Sequence, residues 1–395
     1  MALAIGTLLT VEQRDAHRSN LDAPSAAISA DGRFVAFITY SRLVAADTND
    51  WGDVYVLDRV RQHVTLESAD TSVYKGDSSR PRISGDGRYL VFERAYAVVL
   101  RDRAEGVTRV IGDGAQPCIT ENGRIVLFAA ASVDSDAGID ANGARTDIYS
   151  LEVPGGQASR VSVGLEGLDA SIAASVHPSA SSDGRYVAFT SRQATGTSRA
   201  SAPQVFVRDT ELNTTRLIGA GWDPSLSGDG RVGAFVGLSN GLPHIFLTDL
   251  QTGETRIITN STRRGLANGA STKPQVSADG RFVVFQSEAS DLVAAEDINL
   301  LWDVFVFDRA TRTMTRVSGD SKEVWMEPSG GPSIDGRGSA IAFSSRHPTD
   351  ASDKRNDFDL YVATVSRLNT ASNLNTEPRS HGGARFVFNT RRIRW

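Results

Sequence analysis

Short apolar runs punctuated by turn residues recur along this chain, and nothing in it sustains a helical period. The runs 34–37, 89–92, 125–128, 186–189 and 282–285 are alternating or dense in Val, Phe, Tyr, Ile and Ala, the composition of short strands. Each follows a polar tripeptide: Asp31-Gly32-Arg33, Asp86-Gly87-Arg88, Asn122-Gly123-Arg124, Asp183-Gly184-Arg185 and Asp279-Gly280-Arg281. Asp229-Gly230-Arg231 and Asp335-Gly336-Arg337 bring the copies to seven. Asp-Gly or Asn-Gly between two apolar runs predicts a tight hairpin, because glycine supplies the φ > 0 position and the Asx side chain bonds the local backbone.

A third run follows each hairpin after a variable loop. The copies include 53–58, 98–102, 147–151, 205–209, 245–249, 303–308 and 359–362. A short turn then leads to a fourth run, marked by Thr108-Arg109-Val110, Ser159-Arg160-Val161, Thr215-Arg216-Leu217, Thr255-Arg256-Ile257 and Thr315-Arg316-Val317. Four short antiparallel strands per unit, repeated, predict an all-β, seven-bladed β-propeller. The turn glycines are spaced by 55, 36, 61, 46, 50 and 56 residues, and the variation falls in the loops. The seventh unit shows three strands. Residues 5–13, a strand-like run directly before the first unit, are expected to complete it and close the ring, which would make deletion of residues 1–12 strongly destabilising. The expected organisation is a propeller over 1–366 and an irregular basic tail over 367–395.

The pattern Ser-x-Asp-Gly-Arg-φ-φ-x-Phe, then Asp-φ-φ-φ-x-Asp, then Thr-Arg-φ stands here as 277–285, 303–308 and 315–317. It resembles the TolB-like, WD40-like PD40 propeller repeats. The resemblance covers roughly residues 5–366 and implies a propeller fold. It also implies a bacterial envelope or extracellular setting, and a scaffold that hosts protein-docking modules, lectin-like binders and a minority of lyases and peptidase-gating domains.

In such a unit the first–second and third–fourth turns lie on one face, where this chain is monotonous. The second–third loops and the inter-unit connections lie on the other face and hold the variation, where binding residues usually sit. Trp51 and Trp302 map to second–third loops, and Trp222 and Trp325 to inter-unit connections, joined by Tyr74 and His177. These aromatics suit sugar stacking or a protein hot spot; the alternative is that each packs beneath its own loop. Asp47, Asn49 and Asp53 share their spacing with Asp297, Asn299 and Asp303. Hard oxygen ligands at such spacing suit calcium, whereas Asx side chains capping loop turns would give the same pattern.

Catalysis finds little support. No Gly-x-Ser-x-Gly elbow is present. The six histidines lack ligand spacing, and only convergence of His177, His244 and His347 would serve a metal-assisted polysaccharide lyase. The net charge of −5 gives no reason to expect nucleic acid, and no apolar run approaches a membrane span. The N-terminus lacks the basic region and cleavage site of a signal peptide. A single cysteine, Cys118, excludes an internal disulfide and reads as a small buried filler. The tail carries six arginines against one acid, with Arg391, Arg392, Arg394 and Trp395 in an aromatic-basic segment suited to a partner or to folding back on the propeller. The favoured function is a non-catalytic scaffold that meets protein partners through the variable loops and anchors in a larger assembly by its tail. Carbohydrate binding is the alternative.

Overall fold

The computed structural model describes residues 26–69, 75–131, 145–163, 174–192, 202–294, 299–319, 327–347, 358–367 and 386–391. The described residues form seven four-stranded antiparallel sheets, each contiguous in sequence, and contain no helix. The first blade runs through Ala27–Ile28, Phe34–Thr39, Asp53–Asp58 and His63–Leu66. Blades two to six span 78–113, 115–160, 174–220, 222–257 and 271–316. The seventh comprises Ser329–Ile334, Ala340–Ser345, Asp359–Arg367 and Phe386–Arg391.

The second and third strands are apolar on both faces because each blade is packed between two others. Phe282–Ser287 and Asp303–Asp308 are buried at every position. One apolar layer joins Ala36, Val54 and Val56 of blade one to Leu90, Phe92 and Val99 of blade two. Another joins blades six, seven and one through Val284, Phe343, Tyr361, Val35 and Tyr55, across the seam where first and last blades meet. Within six blades a second-strand Phe stacks on a third-strand aromatic, as in Phe37–Tyr55 at 6.0 Å and Phe343–Tyr361 at 5.6 Å between ring centroids. Full burial of one such side chain contributes about 1.5–3 kcal/mol.

A ring of backbone hydrogen bonds ties the blades together around the axis. The residue before each hairpin turn bonds to its counterpart in the next blade. The N–H groups of Ala30, Gly85, Asn122, Ser182, Gly228, Asp279 and Gly336 donate to the carbonyls of Gly85, Glu121, Ser182, Gly228, Ala278, Gly336 and Ala30, at 2.8–3.1 Å. The circle closes on itself. The ring residues are small because they face each other at the axis: a Cβ on Gly85 would lie 2.8 Å from the Glu121 carbonyl, and one on Gly228 3.0 Å from the Ala278 carbonyl. The one long side chain, Glu121, accepts a hydrogen bond from the Ser182 hydroxyl and reaches across to Gly336.

Two expectations are corrected. The outer strand of blade seven is Phe386–Arg391, paired antiparallel with residues 362–367, and not residues 5–13, which lie outside the described residues. The C-terminal segment therefore adds a strand to its own propeller where an irregular tail was expected. Its Phe386-Val387-Phe388 run has the composition of a strand, and the pairing covers backbone groups that would otherwise be left open. The seventh turn is also displaced by two residues. Gly338 takes the left-handed conformation (φ 67°), its N–H bonds the Asp335 carbonyl, and Asp335 stands where the other units have Ser or Thr. A turn at Gly336 would force Ile334 into the ring of small residues and move Phe343 out of its stack on Tyr361. The hydrophobic register therefore overrides the Asp-Gly-Arg signature.

Gly338→Ala is expected to lower stability more than Gly336→Ala, because it forces φ > 0 on a Cβ that meets the Phe282 ring. Thermal melts of the two variants check this, and the reverse order would restore the in-register turn. Truncation after residue 384 is expected to lower the melting temperature by exposing the edge of Asp359–Arg367; an unchanged melt would contradict the assigned outer strand.

Candidate functional site

The repeated polar residues are consumed by structure. In blade one the Ser29 hydroxyl donates to Asp31 Oδ1 at 2.6 Å and accepts from the Phe34 N–H at 2.9 Å, while Asp31 Oδ1 also caps the Arg33 N–H. The same lock recurs at Ser84–Asp86, Thr120–Asn122, Ser181–Asp183, Ser227–Asp229 and Ser277–Asp279. Arg33 makes a bidentate pair with Asp58 and lies over the Phe34 ring at 4.7 Å. Arg88–Asp102, Arg185–Asp209 and Arg281–Asp308 repeat the pair. The Arg33 guanidinium and the turn amides of Val60 and Arg61 hold the Asp58 carboxyl down at about 2.

The acids proposed for calcium sit in comparable locks. Asp53 Oδ1 accepts from the Ser68 hydroxyl and Oδ2 from Asn49 Nδ2 at 3.0 Å, with Arg94 at 3.7 Å. Asp47 is buried, accepts the Tyr55 hydroxyl and caps the Asn49 N–H. Asp303 accepts from Ser318 and from Asn299 Nδ2 at 3.4 Å; Asp297 lies outside the described residues. Asp147–Ser162 repeats the lock in blade three, so the same strand anchoring holds Asp53, Asp147 and Asp303. Among the described residues no group of three or more His, Cys, Asp or Glu is placed to hold a metal.

The aromatic candidates are dispersed. Trp51 is half-buried over the Arg94 guanidinium at 5.9 Å, and Trp302 is half-buried with its carbonyl accepting the Ser329 N–H. Trp222 opens the first strand of blade five, not a connection, and packs against the blade five–six core. Tyr74, Trp325, Arg392, Arg394 and Trp395 lie outside the described residues, and Arg391 ends the last strand. The histidines stand apart. His244 is buried with Nδ1 3.0 Å from the Thr259 hydroxyl, His347 follows the second strand of blade seven, and His177 lies on the first strand of blade four.

His177 leads to a site the motifs concealed. In blades two to six the innermost strand carries a residue in the left-handed region immediately before a proline: Arg80, Gln116, His177, Asp223 and Lys273, with φ of 49–56°. Gly331 takes the same place in blade seven. Such a conformation costs on the order of 1–3 kcal/mol where the side chain is not glycine, and it coincides with a break in strand register in each blade. Partners link the positions around the axis. Gln116 Oε1 accepts the His177 N–H at 2.7 Å, the Gln116 N–H donates to Glu93 Oε1, and Arg80 pairs with Glu93 at 3.0 Å. Asp223 on blade five feels the charges of His177 of blade four, Arg82 and Arg80 of blade two, and Lys273 of blade six. Burial pushes the Asp223 carboxyl above the ordinary carboxylate range against the pull of those cations, and pushes the His177 ring below its usual value. His177 Nδ1 is buried without a hydrogen-bond partner. The signal was present in the sequence as Arg80-Pro81, Gln116-Pro117, His177-Pro178, Asp223-Pro224 and Lys273-Pro274 at one offset before each turn.

The Asp58 pair adds stability in full above about pH 4, and that contribution is lost as pH falls through about 2. The gap in melting temperature between the wild type and Arg33→Gln should therefore narrow between pH 5 and pH 2.5, whereas a constant gap would contradict the pairing.

No family model matches the sequence, and no curated protein is significantly similar to it. Solved structures are similar in architecture. The β-propeller domain of the Trilobed protease from Pyrococcus furiosus is 10% identical, with a TM-score of 0.58 over 86% of this chain and 94% of that one. Oligogalacturonate lyase from Vibrio parahaemolyticus is 13% identical, with a TM-score of 0.55 over 91% and 97%. TolB from Acinetobacter baumannii is 16% identical, with a TM-score of 0.43 over 87% and 85%. The architecture that the repeat motif implied is the one observed: the chain is a seven-bladed β-propeller, its blades joined by a circle of backbone hydrogen bonds.

Proposed function

We propose that this propeller is a non-catalytic interaction scaffold that receives a protein partner on the face built from the second–third connections. The observation that carries the reading is where large apolar side chains are left in water. Tyr96 is 92% exposed, Leu300 69% and Leu238 62%, with Tyr40, Leu242 and Leu301 also exposed. All six stand at second–third connections, on the adjacent blades one and two and the adjacent blades five and six. On the Asp-Gly-Arg face the exposed apolar side chains are Val60 (74%), Leu212 (66%) and Val107, and Val110 and Leu217 are exposed on outer strands, so the second–third connections hold the larger group. Exposed apolar groups of this size cost solvation unless a partner covers them. Tyr96 and Leu300 are also held at φ 71° and 54°, a strained conformation for bulky residues that presents them outward.

The assignment of Phe386–Arg391 to the seventh blade leaves docking to the loop face rather than to a tail anchor. Carbohydrate binding is the second reading. What favours it is Trp222, partly exposed beside Asp223 at the channel.

A photo-crosslinking residue placed at Tyr96 or Leu300 of the full chain is expected to capture one and the same protein in cells. Placed at Val60 or Leu212 it should capture none. Equal capture from both faces would contradict the proposal.

A further inference from the structure

Three blades fasten the start of the third strand to the chain leaving the fourth by the same polar lock. An aspartate accepts a hydrogen bond from a hydroxyl 15 residues later, as Asp53 does from Ser68, Asp147 from Ser162 and Asp303 from Ser318. That hydroxyl in turn accepts the N–H next to the aspartate, at 2.9–3.0 Å. Each carboxylate has an arginine beside it: Arg94 at 3.7 Å, Arg160 at 3.6 Å and Arg316 at 3.9 Å. In blade five the same place is taken by His244, whose Nδ1 lies 3.0 Å from the Thr259 hydroxyl, while the Ile245 N–H donates to that hydroxyl at 3.3 Å. Ile257 stands two residues before Thr259, where Arg160 and Arg316 stand before Ser162 and Ser318. Neutral residues therefore occupy the positions at which blades three and six place an ion pair. His244 is 1% exposed, and its Nε2 is buried with no hydrogen-bond partner. Its strand, Leu242–Asp249, packs against Val232–Ser239, Thr255–Ile257 and Ser271–Val276. The first of these has no titratable residue, the second has Arg256, which lies over the Phe307 ring at 6.0 Å, and the third has Lys273. Arg263 and Arg264 are exposed in the connection after Thr259, where Asp291 accepts the Asn268 N–H. Asp249, at the far end of the strand, is held by the amides of Gln251 and Thr252, and Asp223 stands a strand further in, beyond Val232–Ser239. The three strands packed on His244 thus offer cations and no carboxylate.

We propose that His244 is an acid-sensitive latch, which holds the end of blade five's outer strand while neutral and releases it, with the connection 259–270, when protonated. Nδ1 is engaged with Thr259 in either neutral tautomer, and the imidazolium needs a donor's partner at Nε2 as well. In the folded blade that N–H has no acceptor and no carboxylate balances the charge, so the charged ring is stable only in water. Burial accordingly holds the His244 ring below its ordinary range. The ring takes up a proton on opening, so the latch holds in full above about pH 6.5 and weakens below it, with opening favoured by up to about tenfold per pH unit. Thr259 is the joint that gives way. Its hydroxyl holds Ile245, its carbonyl accepts the Ala267 N–H at 3.1 Å, and Ile258 and Ala267 on either side pack into the blade five–six core. The outer strand that ends there, Thr255–Ile257, has only 3 residues, so few other bonds retain it. The latch is a property of blade five and does not depend on a partner docking on the loop face.

Amide hydrogen exchange of the full chain at pH 7 and pH 5, corrected for intrinsic exchange rates, tests the latch. Protection at Ile245, Ile258 and Ala267 should fall about tenfold between the two. Val304 and Val317, the matching amides of blade six, should keep theirs. His244→Asn removes the titrating ring and should abolish the difference. His244→Asp combined with Ile257→Arg rebuilds the ion pair of blades three and six and should abolish it too, so one variant that fails to fold leaves the other decisive. Protection that does not change with pH at the three amides of the wild type would overturn the proposal. A fall of equal size at Val304 and Val317, or one that persists in the folded variants, would overturn it as well.

Discussion

Everything in this propeller is arranged around one circle of backbone hydrogen bonds at the axis. Seven blades meeting at a point leave seven first-strand edges facing inward, with N–H and C=O groups that must be satisfied. Here they satisfy each other. The requirement explains the small residues at Ala30, Gly85, Ser182, Gly228, Ala278 and Gly336, since only short side chains let the backbones approach. It also explains how the ring closes although no strand is exchanged between the first and last blades among the described residues. The seam is held by Gly336 N–H to the Ala30 carbonyl, by the Ile28 N–H to the Ser333 hydroxyl at 3.2 Å, and by the apolar layer through Phe343, Tyr361 and Val35.

The circle divides the molecule functionally. On its outer side are the Asp-Gly-Arg turns, in which each carboxylate and most guanidiniums are committed to capping, pairing and stacking. Their recurrence is that of a hairpin solved repeatedly, and it leaves no chemistry to spare. On its inner side the channel runs toward the variable connections, and there the blades stop resembling one another. Arg80, Gln116, His177, Asp223, Lys273 and Gly331 occupy equivalent backbone positions with six different side chains. Identity of backbone with diversity of side chain is what a site grafted on a repeat scaffold looks like.

Much of this was legible in the sequence. The strand order, the blade count and the uniform face follow from Asx-Gly turns between apolar runs, because that signal is local. The seventh turn was misplaced because Gly336 and Gly338 both permit it locally, and the choice is made by the packing of Ile334 and Phe343, which are remote from the turn. The outer strand Phe386–Arg391 was read as a tail because the chain between it and Arg367 is rich in Asn, Ser and Thr, and strand pairing across such a gap leaves no local mark. The left-handed positions escaped because they lie on five blades and share only a following proline; a repeat alignment that tracked the residue before each proline would have isolated them.

The most direct measurement is hydrogen exchange of the seven ring amides, those of Ala30, Gly85, Asn122, Ser182, Gly228, Asp279 and Gly336, in the native protein. If the circle is the constraint on which the fold depends, all seven exchange at one slow rate set by global unfolding, those at the seam included. Rapid exchange at Ala30 and Gly336, with the other five protected, would mean that the ring is open at the seam and would contradict the account.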